Sequence, residues 1–272
     1  MKRALVLGGG GAKGVAHVGV IRALEEKGFV PDLIVGVSIG ALVGSAYSIL
    51  ADSSSLWEIT LRTYRKAARW LSLKKSAART HSPILSAIVC AYVNTFREVL
   101  PSRRYFRILR KHLGGYRFSD TKIPFMCTST IMNSAELCIH NDGSIYEALR
   151  ASMAIPGLFK PEEKGGLILA DGGILNNLPV SVAREANSTF VVAVDLSSSD
   201  EVTSFNTSNS ILGIIDEYKA GVILQREIAA ADIVVSPVMT RRIDLMDSSS
   251  CIDVMNESYE EALKYDFNGV TL

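Results

Sequence analysis

Short apolar runs alternate with helical patterns over the first fifty residues. The runs from Arg3 to Gly8 and from Leu33 to Val37 are almost continuously apolar, which is typical of strands buried on both faces of a parallel sheet. Between and after them, Val15 to Lys27 and Ile39 to Leu50 carry small and apolar residues at helical spacing. The order strand, helix, strand, helix predicts parallel βαβ units.

The same alternation returns in the second half of the chain. Strands are predicted at Phe125 to Ile131, Glu136 to His140, Leu167 to Ala170, Phe190 to Asp195 and Ile233 to Ser236. Helices are predicted at Ile145 to Ala154, Pro179 to Glu185, Leu212 to Ala230 and Val254 to Tyr265. Ser197 to Ser210, rich in Ser, Thr and Asn, predicts a loop. We therefore expect an α/β fold with a central, mainly parallel sheet flanked by helices.

One segment departs from this pattern, and charge identifies it. Residues 53–118 hold 14 Lys and Arg against 2 acidic residues, a net charge of +12, whereas the rest of the chain holds 15 against 26, a net charge of -11. A basic run is usually a solvated helical face. Because this one interrupts the α/β pattern and also contains aromatic and apolar residues, we predict a helical cap. Contact between the cap and an anionic membrane surface is a second hypothesis.

Composition limits the class of protein. A chain of 272 residues with 48% hydrophobic and 21% charged residues suits a single domain, 1–272, with the cap as an insertion. The apolar run behind Met1 to Arg3 is too short for a signal peptide, and no run reaches the roughly 20 residues of a membrane span. We expect a cytoplasmic protein, peripheral to a membrane at most. The four cysteines lack metal-site spacing, so no metal or cofactor is expected, and no nucleic acid partner.

A glycine-rich motif lies between the first strand and the first helix. The stretch Gly8-Gly-Gly-Gly-Ala-Lys-Gly14 lets several backbone N-H groups point into one small space, which favours binding of negative charge. A nucleotide P-loop is excluded, since that motif needs Ser or Thr after Gly-Lys and here Lys13-Gly14 is followed by Val15.

Two interpretations of the glycine motif remain. Gly9, Gly11 and Gly14 match the dinucleotide pattern G-x-G-x-x-G, and Asp32 follows at nearly the expected spacing. However, the ribose-binding acid belongs after the second strand, and Asp32 precedes it. The alternative is an oxyanion hole, in which the N-H groups stabilise the charge that develops on an ester carbonyl.

The residue that follows the second strand favours the oxyanion hole. Gly36-Val-Ser38-Ile-Gly40 matches G-x-S-x-G at a strand-to-helix turn, the context in which a nucleophilic serine is presented. Glycines flank the serine because the tight turn leaves no room for side chains. Alone, this motif is weak, but with the glycine loop upstream it is a strong signal.

The base that would activate Ser38 is predicted to be a carboxylate. None of the histidines stands where the order Ser, acid, His would require it, and we interpret all four as structural: His17, His81, His112 and His140. Asp171 directly follows an apolar strand and precedes Gly172 and Gly173, although an ordinary turn has the same pattern. Asp195 is the rival acid, but no glycine follows it.

These residues resemble the patatin-like phospholipases. Gly9-Gly-Gly-Ala-Lys-Gly14 resembles the oxyanion loop of that family, Gly36 to Gly40 its nucleophile elbow and Asp171-Gly-Gly173 its acid motif. Ala151 to Phe159 and Gly173 to Pro179 are similar to stretches that flank the family's aspartate. The resemblance covers about Arg3 to Asp195, while residues 53–118 match nothing recognisable.

The resemblance implies a Ser-Asp dyad, a sheet with helices on both sides and hydrolysis of lipid acyl esters. The catalytic pair would be Ser38 and Asp171. The oxyanion-hole residues would be Gly9, Gly10, Gly11, Ala12, Lys13 and Gly14, and the supporting glycines would be Gly36, Gly40, Gly172 and Gly173. Ser152, on a helix without a glycine elbow, is a weaker alternative nucleophile. The alternative from another class is a nucleotide- or lipid-binding module with this fold and no turnover.

Overall fold

The computed structural model of the protein describes residues 1–63, 102–197, 208–238 and 251–267. The predicted cap is therefore described at its two ends, where residues 53–63 and 102–113 are helical. Residues 64–101 and most of the loop predicted at Ser197 to Ser210 lie outside the described part.

The described strands form one eight-stranded sheet. In chain order they are β1 (Arg3–Leu7), β2 (Leu33–Val37), β3 (Phe125–Ile131), β4 (Glu136–His140), β5 (Glu162–Lys164), β6 (Leu167–Asp171), β7 (Phe190–Val194) and β8 (Ile233–Val235). Neighbouring strands follow the order β5, β6, β3, β2, β1, β7, β8, and β4 also pairs with β3. Pairings among β3, β2, β1, β7 and β8 are parallel, whereas β4, β5 and β6 pair antiparallel. The expectation of a mainly parallel sheet flanked by helices is confirmed.

Helices connect and cover these strands. They are α1 (Ala16–Glu26), α2 (Ile39–Leu50), α3 (residues 53–63), α4 (Ser102–Leu113), α5 (Ile145–Ser152), α6 (Val180–Glu185), α7 (Ser208–Ala230) and α8 (Cys251–Ala262). Within the described ranges, no helix is long and apolar enough to cross a membrane.

Alternation along the strands builds an apolar layer on each face of the sheet. In β1, Leu5 and Leu7 join the cluster that holds buried side chains of α1, α2, α5 and α8. Ala4 and Val6 join the opposite cluster, which packs against α6 and α7. A strand covered on both faces needs apolar residues at every position, which explains the unbroken run from Ala4.

The ends of β2 and β6 meet on one edge of β3. β4 pairs with residues 127–131 of β3 on one edge. On the other edge, β2 pairs in parallel up to Val37 opposite Thr128, and β6 pairs antiparallel from Asp171 opposite Ser129. The carboxyl ends of β2 and β6 thus face each other at neighbouring positions along β3.

β6 runs antiparallel to β3, so Asp171 at its carboxyl end lies next to the carboxyl end of β2. One sequence-based expectation needs correction. The loop predicted to extend to Ser210 ends earlier, because α7 begins at Ser208; polar residues there form its first turn. β5 was not predicted, since its three residues, Glu-Glu-Lys, carry no apolar periodicity.

Candidate active site

Ser38 lies in a sharp turn between β2 and α2. Its φ of 54° is in the left-handed region, which is strained for a residue with a side chain. The flanking glycines are required by space: a Cβ on Gly36 would lie 2.6 Å from Cα of Ala41, and a Cβ on Gly40 would lie 2.2 Å from the carbonyl oxygen of Leu7. The turn at Ser38 therefore has glycines at the two positions where a side chain would not fit.

Ser38 and Asp171 are in direct contact although they are 133 residues apart in the chain. The Ser38 hydroxyl donates a hydrogen bond of 2.6 Å to Oδ2 of Asp171. This contact follows from the sheet, because Ser38 comes directly after Val37 and Asp171 ends β6 on the same edge of β3. Both residues are buried.

The Asp171 carboxylate has a second donor. Its Oδ1 accepts a 2.8 Å hydrogen bond from the N-H of Gly173, and the hydroxyl of Thr130 donates to its backbone carbonyl. Burial raises the pKa of Asp171 to about 6, and the hydrogen bonds from Ser38 and Gly173 only partly oppose that rise. Asp171 is therefore a stronger base than an exposed aspartate.

The glycine loop follows β1 beside the serine. The N-H of Gly9 donates to the backbone carbonyl of Asn177, and the N-H of Lys13 donates to the carbonyl of Gly10, so these two N-H groups are occupied. A 3-10 helix begins at Gly11, which has a φ of 57°. The first N-H groups of such a helix have no partner within it.

Asn177 holds the loop in place, a role that the sequence did not reveal. A Cβ on Gly9 would lie 2.2 Å from Oδ1 of Asn177, so the two residues pack without a gap. Asn177 belongs to the Asn-Asn-Leu stretch after the acid motif. That stretch resembles one in the patatin-like family, but nothing in its sequence indicates a contact with the glycine loop.

Two of the described histidines, His17 and His140, have hydrogen-bond partners other than Ser38. His17 is fully buried on α1 and its Nε2 donates to the carbonyl of Gly8 at 2.8 Å. His140 contacts the hydroxyl of Ser129 at 2.8 Å. Burial lowers the pKa of each to about 4, so both are neutral. Within the described part of the chain, neither hydrogen-bonds to Ser38; His112 is exposed on α4, and His81 lies outside the described residues.

The rival candidates lie elsewhere. Asp195 follows β7, two strands from β2, where its carboxylate accepts from the N-H of Ser197. Asp32 precedes β2 at the amino ends of the parallel strands, where its carboxylate accepts a hydrogen bond from the N-H of Arg3, which removes support for dinucleotide binding. Ser152 is fully buried, and its Oγ accepts a 2.9 Å hydrogen bond from the backbone N-H of Ser38.

In the described ranges, no group of three or more His, Cys, Asp or Glu residues is arranged to hold a metal ion. The cysteines described there, Cys127, Cys138 and Cys251, are free thiols.

Comparison with known proteins gives similar sequences from animals and fungi. The chain is 34% identical over 212 residues to patatin-like phospholipase domain-containing protein 6 of Mus musculus, a match that covers 77% of this chain and 14% of the mouse protein. It is 33% identical over 209 residues to lysophospholipase NTE1 of Debaryomyces hansenii, covering 77% of this chain and 13% of the yeast protein. The chain thus corresponds to a small part of these much longer relatives.

A solved structure shares the fold at low sequence identity. VipD from Legionella pneumophila matches with a TM-score of 0.53 and 17% identity, over 97% of this chain and 66% of VipD. The family model for patatin-like phospholipase matches residues 5–184, a range that contains the elbow, the glycine loop and the acid motif. Since that match covers more than half of its length, the chain belongs to the patatin-like phospholipase family.

Proposed function

We propose that the protein is a serine acyl-ester hydrolase for lipids, in which Ser38 is the nucleophile and Asp171 its base. The observation that carries this proposal is the 2.6 Å hydrogen bond from the Ser38 hydroxyl to the Asp171 carboxylate at a strained elbow. A nucleophile and a base within hydrogen-bond reach are what covalent catalysis requires. The names of the mouse and yeast relatives agree with a phospholipase or lysophospholipase activity.

The reaction would take place in two halves. The Ser38 oxygen attacks the ester carbonyl while its proton moves to Asp171, and the protonated Asp171 then gives that proton to the departing alcohol. An acyl-enzyme remains on Ser38. Asp171 next takes a proton from water, the resulting hydroxide attacks the acyl carbon, and the proton returns to Ser38 as the fatty acid leaves.

The oxyanion formed in each half would be held by the glycine loop. The N-H groups around Gly10, Gly11 and Ala12 are the proposed donors, while Gly9, Lys13 and Gly14 fix the loop. Loss of one such donor typically lowers turnover on the order of 100- to 1000-fold.

Turnover and its site can be tested together. We expect the wild type to hydrolyse a p-nitrophenyl fatty-acyl ester, and Ser38→Ala and Asp171→Ala to be inactive. A fluorophosphonate probe should add its mass at Ser38. Asp195→Asn is the matched control for the acid and Ser45→Ala for the serine, and both should retain activity. A folded wild type that neither turns over nor accepts the probe would instead favour a binding module with this fold.

The phospholipid class can be tested with natural substrates. Incubation with a diacyl phospholipid, a lysophospholipid and a neutral glyceride, followed by measurement of released fatty acid, should show faster release from at least one phospholipid than from the glyceride. Preference for the glyceride would contradict the phospholipase assignment while leaving the dyad intact.

We further propose that α4 contacts anionic lipid. No acidic residue occurs between Glu98 and Asp120. α4 runs beside α5, and the ring of Phe106 packs against that of Phe159, which follows α5, with 5.3 Å between the ring centroids. Its apolar side faces the protein and its basic side faces solvent: buried are Phe106, Leu109 and Leu113, and exposed are Arg107, Arg110 and Lys111.

Vesicle sedimentation tests this contact. Replacing Arg107, Arg110 and Lys111 by Gln should weaken binding to phosphatidylglycerol vesicles by roughly 100-fold, since each basic residue contributes about 1 kcal/mol near an anionic surface. The control replaces the exposed Lys160, Lys164 and Lys264 by Gln, which changes the net charge equally. Equal losses in both variants would show that only net charge matters and contradict the contact.

A further inference from the structure

One short segment at the end of α5 contacts the main chain of both proposed catalytic residues. The Oγ of Ser152 accepts a 2.9 Å hydrogen bond from the N-H of Ser38. Two residues later, the carbonyl oxygen of Ala154 accepts a 3.0 Å hydrogen bond from the N-H of Asp171. Ser152 and Ala154 are both fully buried.

The first contact acts on a strained residue. A positive φ at a residue with a side chain persists only when its surroundings hold it, and the φ of Ser38 is 54°. Without the Ser152 hydroxyl, the buried Ser38 N-H would lose its acceptor, and the turn would lose a contact that fixes the direction of the serine side chain. Because the N-H of Ser38 already donates to Ser152, this N-H is not available to donate to an oxyanion.

The second contact ties the base to the same segment. Met153 and Ala154 are themselves fixed by backbone hydrogen bonds to Leu149 and Ala151, so the segment continues the rigid end of α5. Its two acceptors therefore set where the backbones of Ser38 and Asp171 lie relative to each other, in addition to the register that β3 provides.

We propose that Ser152 to Ala154 form a two-point clamp on the Ser38–Asp171 pair and that Ser152 is a positioning residue for the nucleophile. The clamp rests on the proposed function for its catalytic consequence. Ser152 acts through the Ser38 backbone and touches no reacting atom.

The test compares Ser152→Ala, which deletes the acceptor, with Ser152→Cys, which fills the same space with a weak acceptor. Ser45→Ala is the control, since Ser45 is also a buried helical serine but its hydroxyl donates to the nearby carbonyl of Leu42. Both Ser152 variants should lower kcat by roughly 10- to 100-fold, the size expected for a misplaced reacting group, with KM nearly unchanged. Fluorophosphonate labelling of Ser38 should slow in parallel.

The pH profile separates positioning from simple loss of stability. The hydrogen bond from Ser38 lowers the pKa of Asp171, so a loosened contact should move the acid limb of kcat/KM to higher pH in the Ser152 variants and leave it unchanged in Ser45→Ala. Wild-type kcat and an unmoved acid limb in a folded Ser152→Ala or Ser152→Cys would overturn the clamp.

Amide hydrogen exchange tests the clamp independently of turnover. Exchange at the Ser38 N-H, followed by NMR, should accelerate in Ser152→Ala more than in Ser45→Ala. If the wild type proves inactive, the proposed function fails, yet faster exchange would still support the contact. Equal exchange in all three proteins would overturn it.

Discussion

At the scale of single residues, the proposed mechanism makes reactivity depend on the protonation of Asp171. Burial removes water from its carboxylate and raises its pKa, while donors from Ser38 and Gly173 act in the opposite direction. Burial is the larger effect. The resulting pKa of about 6 places the base closer to the operating pH of a neutral solution than an ordinary aspartate would be.

We expect the rate to fall on the acidic side of neutrality for this reason. A plot of kcat/KM against pH for a non-ionising ester should show an acid limb with an apparent pKa of about 6, because protonated Asp171 cannot accept the Ser38 proton. The measurement is steady-state hydrolysis between roughly pH 4.5 and 8. Full activity at pH 4.5, with the protein still folded, would contradict this assignment of the base.

At the scale of elements, α2 approaches the end of β1 through a glycine. The elbow brings Gly40 so close to the backbone that a Cβ would lie 2.2 Å from the carbonyl oxygen of Leu7 and 2.5 Å from that of Gly8. Backbone atoms cannot rotate away as a side chain can. The start of α2 and the beginning of the glycine loop are therefore fixed against each other.

Gly40→Ala should disrupt both the start of α2 and the beginning of the glycine loop. We expect a loss of more than about 2 kcal/mol in the free energy of unfolding and loss of activity, measured by urea denaturation and ester hydrolysis. Gly44→Ala, on the same helix, is the control, since its nearest neighbours are side-chain atoms at 3.0 Å or more. Equal effects at the two positions would show that helix propensity, and not this contact, controls the outcome.

α1 and α8 also meet at a glycine. A Cβ on Gly19 would lie 2.2 Å from the carbonyl oxygen of Met255, so Gly19→Ala should force the helices apart and lower the melting temperature. Gly221 in α7 has no neighbour within 4 Å of such a Cβ, and Gly221→Ala should stabilise by about 0.5 to 1 kcal/mol. Thermal unfolding followed by circular dichroism measures both. A stabilised Gly19→Ala would contradict the close packing.

Local sequence patterns were sufficient for the elements that build the elbow. The bounds of β2 and α2 agree with the predicted ones because continuous apolar runs, glycines and helical spacing act over a few residues. The glycines on either side of Ser38 lie where a Cβ would meet backbone atoms, a constraint that also acts over a few residues.

Contacts between distant segments could not be predicted from such patterns. The direction of β6 depends on its pairing with β3, and an apolar run reads the same in a parallel or an antiparallel strand. The contact of Ser152 with Ser38 spans 114 residues, and that of Asn177 with Gly9 spans 168. Neither contact is indicated by the sequence pattern around the residues that make it.

At the scale of the whole molecule, the fold buries two ionisable histidines in their neutral forms. Burial lowers the pKa of His17 and His140 from the ordinary 6.5 to about 4. Below about pH 6.5 these two histidines therefore bind more protons in the unfolded chain than in the folded one, and their contribution to stability is lost as the pH falls. Asp171 acts in the opposite direction, because its pKa is raised by folding.

Acid should consequently destabilise the wild type more than His17→Gln. Between pH 7 and 4.5, the loss in unfolding free energy should be smaller by roughly 2 kcal/mol in the variant, because Gln does not titrate yet retains a donor for Gly8. Urea denaturation at the two pH values measures this difference. Identical losses would show that His17 does not remain neutral in the folded protein.

Since β2 and β6 are both registered on one edge of β3, the distance between Ser38 and Asp171 does not depend on how much chain separates α2 from β3. The length and composition of that interval can change in evolution or in engineering without moving Ser38 and Asp171 relative to each other. Substrate preference can then change while the arrangement of Ser38 and Asp171 stays the same, because β3 sets the positions of the two strands that carry them.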